Sequence, residues 1–252
     1  MRQICVLSAI LFLLFSCGKH NDKPGNPGNI PDPTPTAKLR IKSSSGFTYA
    51  YDSLGRLTKS FYSNSFPART EYTYTETTVT GTDFGTNGTS YGERIIYTIG
   101  SDGLATSEKY ILPAGEPPII TAYTYNTDRQ LVEEIANEEG KAPVSRTIHY
   151  YNKGNRDSLK SFSLSNGKLL SYIRFEYYTD KPNLLGYENN GISYMGASSV
   201  NLLKKYVRIE LGDTTTTEMT YEFDAQKRPA TSHVIQNGAP LSDVTYTYIE
   251  TP

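Results

Sequence analysis

Aromatic residues alternate with threonine and charged residues through most of this chain. The clearest runs are residues 47–51, 72–75, 123–125, 219–223 and 244–248. Side chains two positions apart point to the same face of a strand, so this alternation predicts strands with one packed face and one wet face. Aromatic and β-branched residues also favour pleated sheets through cross-strand pairing. The chain is therefore predicted to be all-β, and its best helix candidate is a short one at residues 199–205.

A short motif recurs where these runs end. Tyr51-Asp52-Ser53-Leu54-Gly55-Arg56-Leu57 aligns with residues 125–131 and 223–229, and looser copies begin at residues 99, 151 and 178. An Asp or Asn after the aromatic residue can bond to backbone two residues on and start a turn. Gly55 lies where the chain must become left-handed, which closes a hairpin with a bulge. Arg129 and Lys227 at the equivalent position would adopt that conformation at a cost of ~1 kcal/mol, or would use a slightly different loop.

The aromatic residues that precede these turns recur every roughly 23 to 28 residues, a period that fits one hairpin of two strands. Residues 38–252 are therefore predicted to form an antiparallel meander of repeated β-hairpins, with roughly ten to fourteen strands in a large curved or partly closed sheet. A membrane-spanning barrel needs aliphatic side chains at alternate positions of its strands. Here those positions hold tyrosine against threonine, serine, lysine and glutamate, and an unpartnered hydroxyl in hydrocarbon is costly. The sheet is therefore predicted to be soluble and not membrane-spanning.

The first residues of the chain indicate export. Arg2 precedes an almost unbroken apolar run that ends in Leu14-Phe15-Ser16-Cys17, which resembles a bacterial lipobox. The run is shorter than the ~20 residues that a membrane-crossing helix requires. Residues 1–16 are predicted to be a lipoprotein signal peptide, Cys17 is the predicted acylation site, and residues 17–37 are the acylated cysteine and a Pro/Gly/Asn-rich tether. A plain secretory signal that is cleaved without lipidation remains open.

The strand-and-turn signature of residues 51–57 resembles the tyrosine–aspartate repeats of bacterial repeat-shell proteins. Residues 177–183, 199–205 and 221–224 carry a closer resemblance, which extends over residues 39–250. It is to uncharacterised Bacteroidetes lipoproteins whose domain of unknown function is described as porin-like in fold. This resemblance implies a β fold and no particular activity.

No group of residues selects a catalytic or metal site, and no cofactor is predicted. Residues 88–92 match the Gly-x-Ser-x-Gly pattern, but a strand pattern follows, whereas a nucleophile elbow needs a strand-to-helix turn. A hairpin loop is therefore expected there. His149 and His233 have no second His or Cys at ligand spacing, so each is interpreted as a strand histidine. Glu133 and Glu134 are interpreted as part of a solvated loop and strand edge.

Three short sequences resemble the O-glycosylation signal that Bacteroidetes use on exported proteins. They are Asp52-Ser53-Leu54, Asp157-Ser158-Leu159 and Asp213-Thr214-Thr215, which make Ser53, Ser158 and Thr214 candidate acceptors. The first two fall in predicted hairpin turns, where turn chemistry alone explains the aspartate equally well.

Charge and composition constrain the partners. The formal net charge is −1 and no basic block is present, which gives no reason to expect nucleic acid. The leading hypothesis is a non-catalytic cell-envelope lipoprotein of the outer membrane, facing either the periplasm or the cell surface. It would be held to the membrane only by its acyl anchor and would bind or scaffold an extracytoplasmic glycan or protein through its tyrosines. The alternative is a carboxylate-dependent glycan or peptide hydrolase on the concave face of the sheet, which requires two carboxylates ~5–9.5 Å apart.

Overall fold

The computed structural model describes residues 38–62, 68–112 and 115–251. These residues form sixteen β-strands: β1 (Lys38–Ser44), β2 (Phe47–Tyr51), β3 (Leu57–Tyr62), β4 (Arg69–Tyr74), β5 (Thr78–Phe84), β6 (Ser90–Ile99), β7 (Ala105–Ile111), β8 (Ile119–Tyr125), β9 (Leu131–Glu138), β10 (Ser145–Asn152), β11 (Asn155–Ser163), β12 (Leu169–Pro182), β13 (Asn201–Glu210), β14 (Asp213–Phe223), β15 (Pro229–Gln236) and β16 (Ala239–Thr251). A short 3₁₀ turn, Ser193–Met195, lies between β12 and β13. None of the helical segments found in the described ranges has the length and apolar character needed to cross a membrane. The predicted signal peptide, the acylation site at Cys17 and the tether lie outside the described residues.

The meander closes on itself. Each strand pairs in antiparallel fashion with its neighbours in sequence, and β1 pairs with β16 in a register that runs from Lys38 opposite Thr251 to Ser44 opposite Tyr246. The prediction of a large curved or partly closed sheet, soluble and not membrane-spanning, is therefore wrong, because the structure is a closed sixteen-stranded barrel. Closure depends on pairing between the two ends of the domain, and alternation within each strand carries no information about that pairing.

Alternate residues of each strand face the barrel interior, and these positions hold most of the tyrosines. In β4, Tyr72 and Tyr74 pack against the core while Thr73 is exposed. In β16, Tyr246 and Tyr248 face inward while Thr247 is exposed. The outward positions carry ion pairs between adjacent strands, among them Lys59–Glu71, Arg146–Glu133 and Lys205–Glu218.

The predicted turn motif forms at one end of the barrel. The backbone amides of Leu54 and Arg56 donate to Asp52 Oδ1 at 3.0 and 2.9 Å, and Asp224 accepts the equivalent pair of bonds in its own turn. Gly55 has a φ of +71°, and Arg129 and Lys227 adopt nearly the same angle, at +62° and +61°. The copies without glycine therefore use the same loop as the first copy.

Four of the connections at this end are tied to the next hairpin by a tyrosine. The hydroxyl of an inward tyrosine near the end of a strand donates to the carbonyl of a residue at or near the start of the preceding strand. These bonds join Tyr74 to Leu57 (2.7 Å), Tyr151 to Leu131 (3.0 Å), Tyr221 to Leu203 (2.9 Å) and Tyr248 to Pro229 (2.7 Å). The arginine of the turn also stacks on this tyrosine in two copies, with Arg56 over Tyr74 and Arg228 over Tyr248. The tyrosine repeat in the sequence is therefore a repeat of hairpin-to-hairpin contacts.

The long connection between β12 and β13 fills the same end of the barrel, and residues 183–200 are called the plug. Leu185 of the plug is fully buried, and Tyr187, Tyr194 and Met195 are buried against the wall. The Tyr194 ring centroid lies 5.1 Å from that of Tyr97 on β6. The plug thus supplies apolar packing that the polar, tyrosine-lined wall alone does not provide.

Backbone hydrogen bonds fasten the plug to the surrounding turns and strands. The bonds run from Ile41 N to Asn189 O, from Leu57 N to Gly191 O, from Ala197 N to Arg129 O and from Val200 N to Gly154 O, at 2.7–3.2 Å. A side chain at Gly191 would place its Cβ 2.6 Å from Leu57 N, and one at Gly196 would place it 2.4 Å from Arg129 O. Glycine is needed at both positions because each also has a positive φ. This end is called the plugged end.

The helix candidate at residues 199–205 is wrong, because most of that segment is the start of β13. Leu202 and Leu203 are both buried, Leu202 beside the plug residue Leu185 and Leu203 beside Leu159 of the wall. Consecutive apolar residues of this kind are equally compatible with a buried helix and with a strand that is buried on both faces. The plug residue Leu185, which precedes this segment in the chain, packs against Leu202.

The connections at the opposite end are hairpins that join neighbouring strands directly. Three of them, residues 45–46, 211–212 and 237–238, are only two residues long. Within the described part of the chain no segment comparable to the plug covers this end, which is called the open end.

Candidate lumen site

A cluster of polar side chains faces the interior of the barrel. It takes one residue from each of six consecutive strands, β6 to β11, and is called the lumen cluster: Tyr97, Glu108, Tyr123, Glu134, His149 and Arg156. The period-two alternation places these residues inward, in line with Val79 and Leu159 of the core. Sequence neighbours of the cluster, such as Glu133 and Tyr150, face outward instead.

Three members of the cluster form a connected chain. His149 Nε2 lies 2.7 Å from Glu134 Oε1, and Arg156 Nη1 lies 3.3 Å from His149 Nδ1. Because a guanidinium only donates, Nδ1 accepts and the imidazole proton lies on Nε2, which donates to Glu134. The His149 side chain is 2% exposed and that of Glu134 is 32% exposed. Glu134 is therefore oriented by buried partners and remains accessible from the lumen.

Glu108 lies in a less hydrated environment than Glu134. Tyr123 Oη donates to Glu108 Oε2 at 2.9 Å. Burial raises the pKa of Glu108; the hydrogen bond from Tyr123 lowers it in part, and the negative charge of Glu134 adds to the increase. Burial also raises the pKa of Tyr97 and of Tyr123, so both phenols are neutral hydrogen-bonding groups at physiological pH.

A second polar group lies nearer the open end. Tyr110 Oη donates to Glu93 at 3.4 Å, and the hydroxyl of Thr70 donates to Asp83 Oδ1. Burial raises the pKa of Asp83. The interior therefore presents carboxylates and phenolic hydroxyls from its middle towards the open end.

The plug limits the lumen on the other side. Tyr151, Arg156, Tyr187 and Ser199 line the space between plug and wall, which is only water-sized. Ser199 is itself held, because its hydroxyl accepts from Arg156 N at 3.0 Å and donates to Tyr177 Oη at 2.9 Å. Burial raises the pKa of Tyr151 to about 12. On this side the plug therefore leaves only a water-sized space next to Arg156 of the lumen cluster.

The structure revises the interpretation of Glu134 and places both histidines in strands, as interpreted. Glu134, interpreted as part of a solvated loop and strand edge, lies inside the barrel, whereas Glu133 faces outward and pairs with Arg146. His149 is buried in the lumen cluster, and His233 lies on the outer face between Asp243 and Glu222. The inward position of Glu134 could have been read from Tyr123 and Tyr125, since β8 and β9 form one hairpin with fixed register.

The pattern at residues 88–92 belongs to a hairpin, as expected. Residues 85–89 connect β5 to β6, and Ser90 begins β6. Gly85 N and Gly88 N close the turn by bonding to Thr89 O and Gly85 O, so the nucleophile elbow has no structural basis. Among the described residues, no group of three or more His, Cys, Asp and Glu side chains is placed to hold a metal ion.

The candidate O-glycosylation residues lie in three different settings. Ser53 is exposed in the turn between β2 and β3. Ser158 is buried within β11, and its hydroxyl donates to Asp157, so this aspartate is in a strand and not in the predicted turn. Thr214 is exposed at the second position of β14. Modification of these residues stays a prediction.

Two crystal structures share this fold. One is of a porin-like protein from Bacteroides uniformis, 18% identical, with a TM-score of 0.55 over 84% of this chain and 95% of that chain. The other is of a porin-like protein from Bacteroides vulgatus, 15% identical, with a TM-score of 0.57 over 83% of this chain and 99% of that chain. No family model and no curated protein sequence matches the chain.

These likenesses support the porin-like fold that the sequence resemblance implied. At this level of identity they establish the fold alone. The comparisons do not support the resemblance to tyrosine–aspartate repeats.

Proposed function

We propose that this chain is a non-catalytic protein of the cell envelope whose one-ended barrel binds a small glycan in its lumen. The observation that carries the proposal is the plug, which is bonded to the turns around it and closes one end of the barrel. A channel requires two open ends, whereas a barrel with one accessible end is a cup, the form that small-ligand barrels use.

The lining of the cup favours a hydroxyl-rich ligand. Glu134 offers a lumen-facing carboxylate, and Tyr97 and Tyr123 offer rings and hydroxyls that can stack on and bond to a sugar. Asp83, Glu93, Glu108 and Glu134 together disfavour a polyanionic glycan. A protein domain is too large to enter, so a protein partner would have to bind outside the lumen.

The predicted anchor supports the envelope part of the proposal. An acylated Cys17 followed by a proline-rich tether would hold the barrel at a membrane, and the porin-like proteins of similar fold come from Bacteroides. Mass spectrometry of the amino-terminal peptide of the mature protein would test this. A diacylated or triacylated cysteine is expected, and an unmodified amino terminus would contradict it.

Glycan-array screening followed by titration of the best ligand would test binding in the lumen. The Glu134→Gln and Glu108→Gln variants are each expected to weaken binding at least tenfold, because each replaces a carboxyl group that faces the lumen by a neutral amide, which accepts weaker hydrogen bonds from sugar hydroxyls. Glu71→Gln on the outer wall is the matched control and should bind like the unsubstituted chain. Binding that is insensitive to both lumen substitutions, or no glycan binding at all, would contradict the proposal.

A second candidate function is glycan hydrolysis by the pair Glu108 and Glu134. The unequal environments of the two carboxyl groups favour it, since Glu108 is buried with a raised pKa, as a general acid would be, whereas Glu134 is more exposed and is held by His149. Incubation of the bound glycans with the protein distinguishes the two functions. Turnover that both glutamine variants abolish while binding persists would favour the hydrolase.

A further inference from the structure

Large apolar side chains are exposed along one half of the open end. They lie in or beside the connections of four consecutive hairpins, β9–β10, β11–β12, β13–β14 and β15–β16. Together they are called the apolar rim: Val144, Leu164, Leu169, Leu170, Ile209, Leu211 and Leu241. On the other half of this end, among the residues described, Phe61 is the large apolar side chain that is similarly exposed.

Turn geometry does not explain these residues. Leu211 is 80% exposed and has a φ of +52°, a conformation that Asn or Gly adopts far more readily than Leu. The next two-residue turn shows the alternative, because Asn237 has nearly the same φ and its side chain accepts from Thr216 N. A leucine at position 211 is therefore unfavourable for the turn itself. A contact that this side chain makes outside the barrel would account for its presence.

The chemistry of the rim fits lipid better than protein. Protein hot spots are rich in Trp, Tyr and Arg, whereas the rim side chains are all aliphatic. The groove between the β11–β12 and β13–β14 hairpins is lined by Leu169, Leu170, Ile209 and Leu211 with one cation, Lys168, and no carboxylate. Below it on the outer wall, Lys160 Nζ lies 5.7 Å from the ring centroid of Tyr172. Aliphatic tips above a layer of Tyr and Lys match the order of acyl chains and headgroups in a bilayer.

We infer that the apolar rim docks onto a lipid bilayer that carries anionic headgroups. Lys168 at the groove complements such headgroups, and the leucines enter the acyl region. Contact through one half of the rim tilts the barrel and leaves the other half of the mouth facing water. This inference does not depend on the lumen ligand.

The length of chain before β1 permits this orientation. Lys38 begins β1 at the plugged end, and β1 runs from there to the open end. An extended proline-rich segment spans ~3.1 Å per residue, so residues 17–37 could reach ~60 Å, whereas a strand of ten residues spans only ~33 Å. A chain anchored at Cys17 could therefore pass along the barrel wall while the open end rests on the same membrane.

Site-specific fluorescence on the full chain tests the inference. The only cysteines are at positions 5 and 17, so Leu211→Cys labelled with an environment-sensitive fluorophore reports on the rim, and the unsubstituted chain gives the background. Leu54→Cys reports on an exposed leucine of the plugged end, and Thr245→Cys reports on the middle of the outer wall. The proteins are added to vesicles of phosphatidylethanolamine and phosphatidylglycerol that contain a nitroxide-labelled lipid as quencher.

The emission of the label at position 211 is expected to shift to the blue and to be quenched at least twofold. The emission of labels at positions 54 and 245 is expected to stay unchanged. Omission of phosphatidylglycerol should reduce partitioning about fivefold for each lysine that contacts headgroups. With the label moved to Leu241→Cys, the pair Leu169→Asp and Leu170→Asp should abolish quenching, and Leu54→Asp should not.

Three results would overturn the inference. One is that the fluorescence of the label at position 211 is neither shifted nor quenched. Another is equal quenching at position 245, which would mean that lipid covers the whole wall. The third is a shift at position 211 that needs no vesicles and follows protein concentration in sedimentation, which would mean that a second copy of the chain covers the rim. Each result is independent of glycan binding, so failure here leaves the proposed function intact.

Discussion

The two ends of the barrel are built on different principles. At the plugged end, the repeated turns and the tyrosine hydrogen bonds hold residues 183–200 in place, and the large apolar side chains that are fully buried, among them Leu185 and Leu202, lie there. At the open end, short hairpins carry exposed leucines and the interior is polar. Regions with few buried apolar contacts are those that proteins use for binding and motion. The comparison indicates that one end of this barrel holds the fold together and the other is available for recognition.

Leucine-to-alanine substitutions at the two ends should separate them most strongly. Leu185 in the plug is fully buried, so Leu185→Ala is expected to lower the free energy of unfolding by ~2–5 kcal/mol through lost burial and a cavity. Leu211→Ala at the open end should change it by no more than ~0.5 kcal/mol. Urea denaturation followed by tyrosine fluorescence measures both. Equal effects would mean that the plug contributes no more to stability than an exposed turn.

Glycine-to-alanine substitutions test how closely the plug backbone packs against the neighbouring turn. Both Gly191 and Gly212 have positive φ, but a Cβ at Gly191 meets Leu57 N and Gly55 O, whereas a Cβ at Gly212 meets nothing within 4 Å. Gly191→Ala is expected to cost ~2–4 kcal/mol from strain plus the backbone clash, and Gly212→Ala only the ~1–2 kcal/mol of strain. The difference between their urea midpoints measures the fit of the plug. A smaller cost for Gly191→Ala would show that the plug shifts freely.

The tyrosine bonds of the plugged end can be tested one at a time. Tyr74→Phe removes the donor to Leu57 O and leaves that carbonyl without this partner, at an expected cost of ~1 kcal/mol in the free energy of unfolding. Tyr150→Phe is the control, because Tyr150 faces outward and its ring contact with Lys160 survives the change. Thermal unfolding of the two variants checks this. Equal melting temperatures of the two variants would mean that the hydrogen bond from Tyr74 does not stabilise the fold.

Much of this end could be predicted from the sequence. The alternation of Tyr with Thr in β4, β8 and β16 placed the tyrosines on the packed face, because strand periodicity is a local property. The aspartate turns were predictable for the same reason, since all the hydrogen bonds that Asp52 accepts come from residues within four positions of it, two from backbone amides and one from the Arg56 guanidinium. Even the left-handed position of Gly55 followed from turn chemistry.

The rest depended on contacts between distant segments. Barrel closure rests on the pairing of β1 with β16, and the number of strands was underestimated because strands such as β11 lack aromatic alternation. The plug was missed because its residues have no period and acquire their role only against the wall. Glu134 and His149 become one site because β9 and β10 are paired, and neither residue alone suggests it.

The smallest effect expected is electrostatic and lies in the first turn of the plugged end. Burial disfavours the ionised form of Asp52, but hydrogen bonds from Arg56 and Leu54 outweigh it and lower its pKa. A lowered pKa stabilises the fold above the unfolded pKa of ~3.9, and this contribution is lost as the pH falls through the folded value. Asp52→Asn should therefore reduce the urea midpoint slightly at pH 7, and the difference from the unsubstituted chain should shrink below pH ~4.

Asp213→Asn at the open end is the matched change and should lower the midpoint less at pH 7. A deficit of Asp52→Asn that persisted below the lowered pKa of Asp52 would show that the turn depends on the shape of the side chain, since the carboxylate charge would then be lost in the folded state.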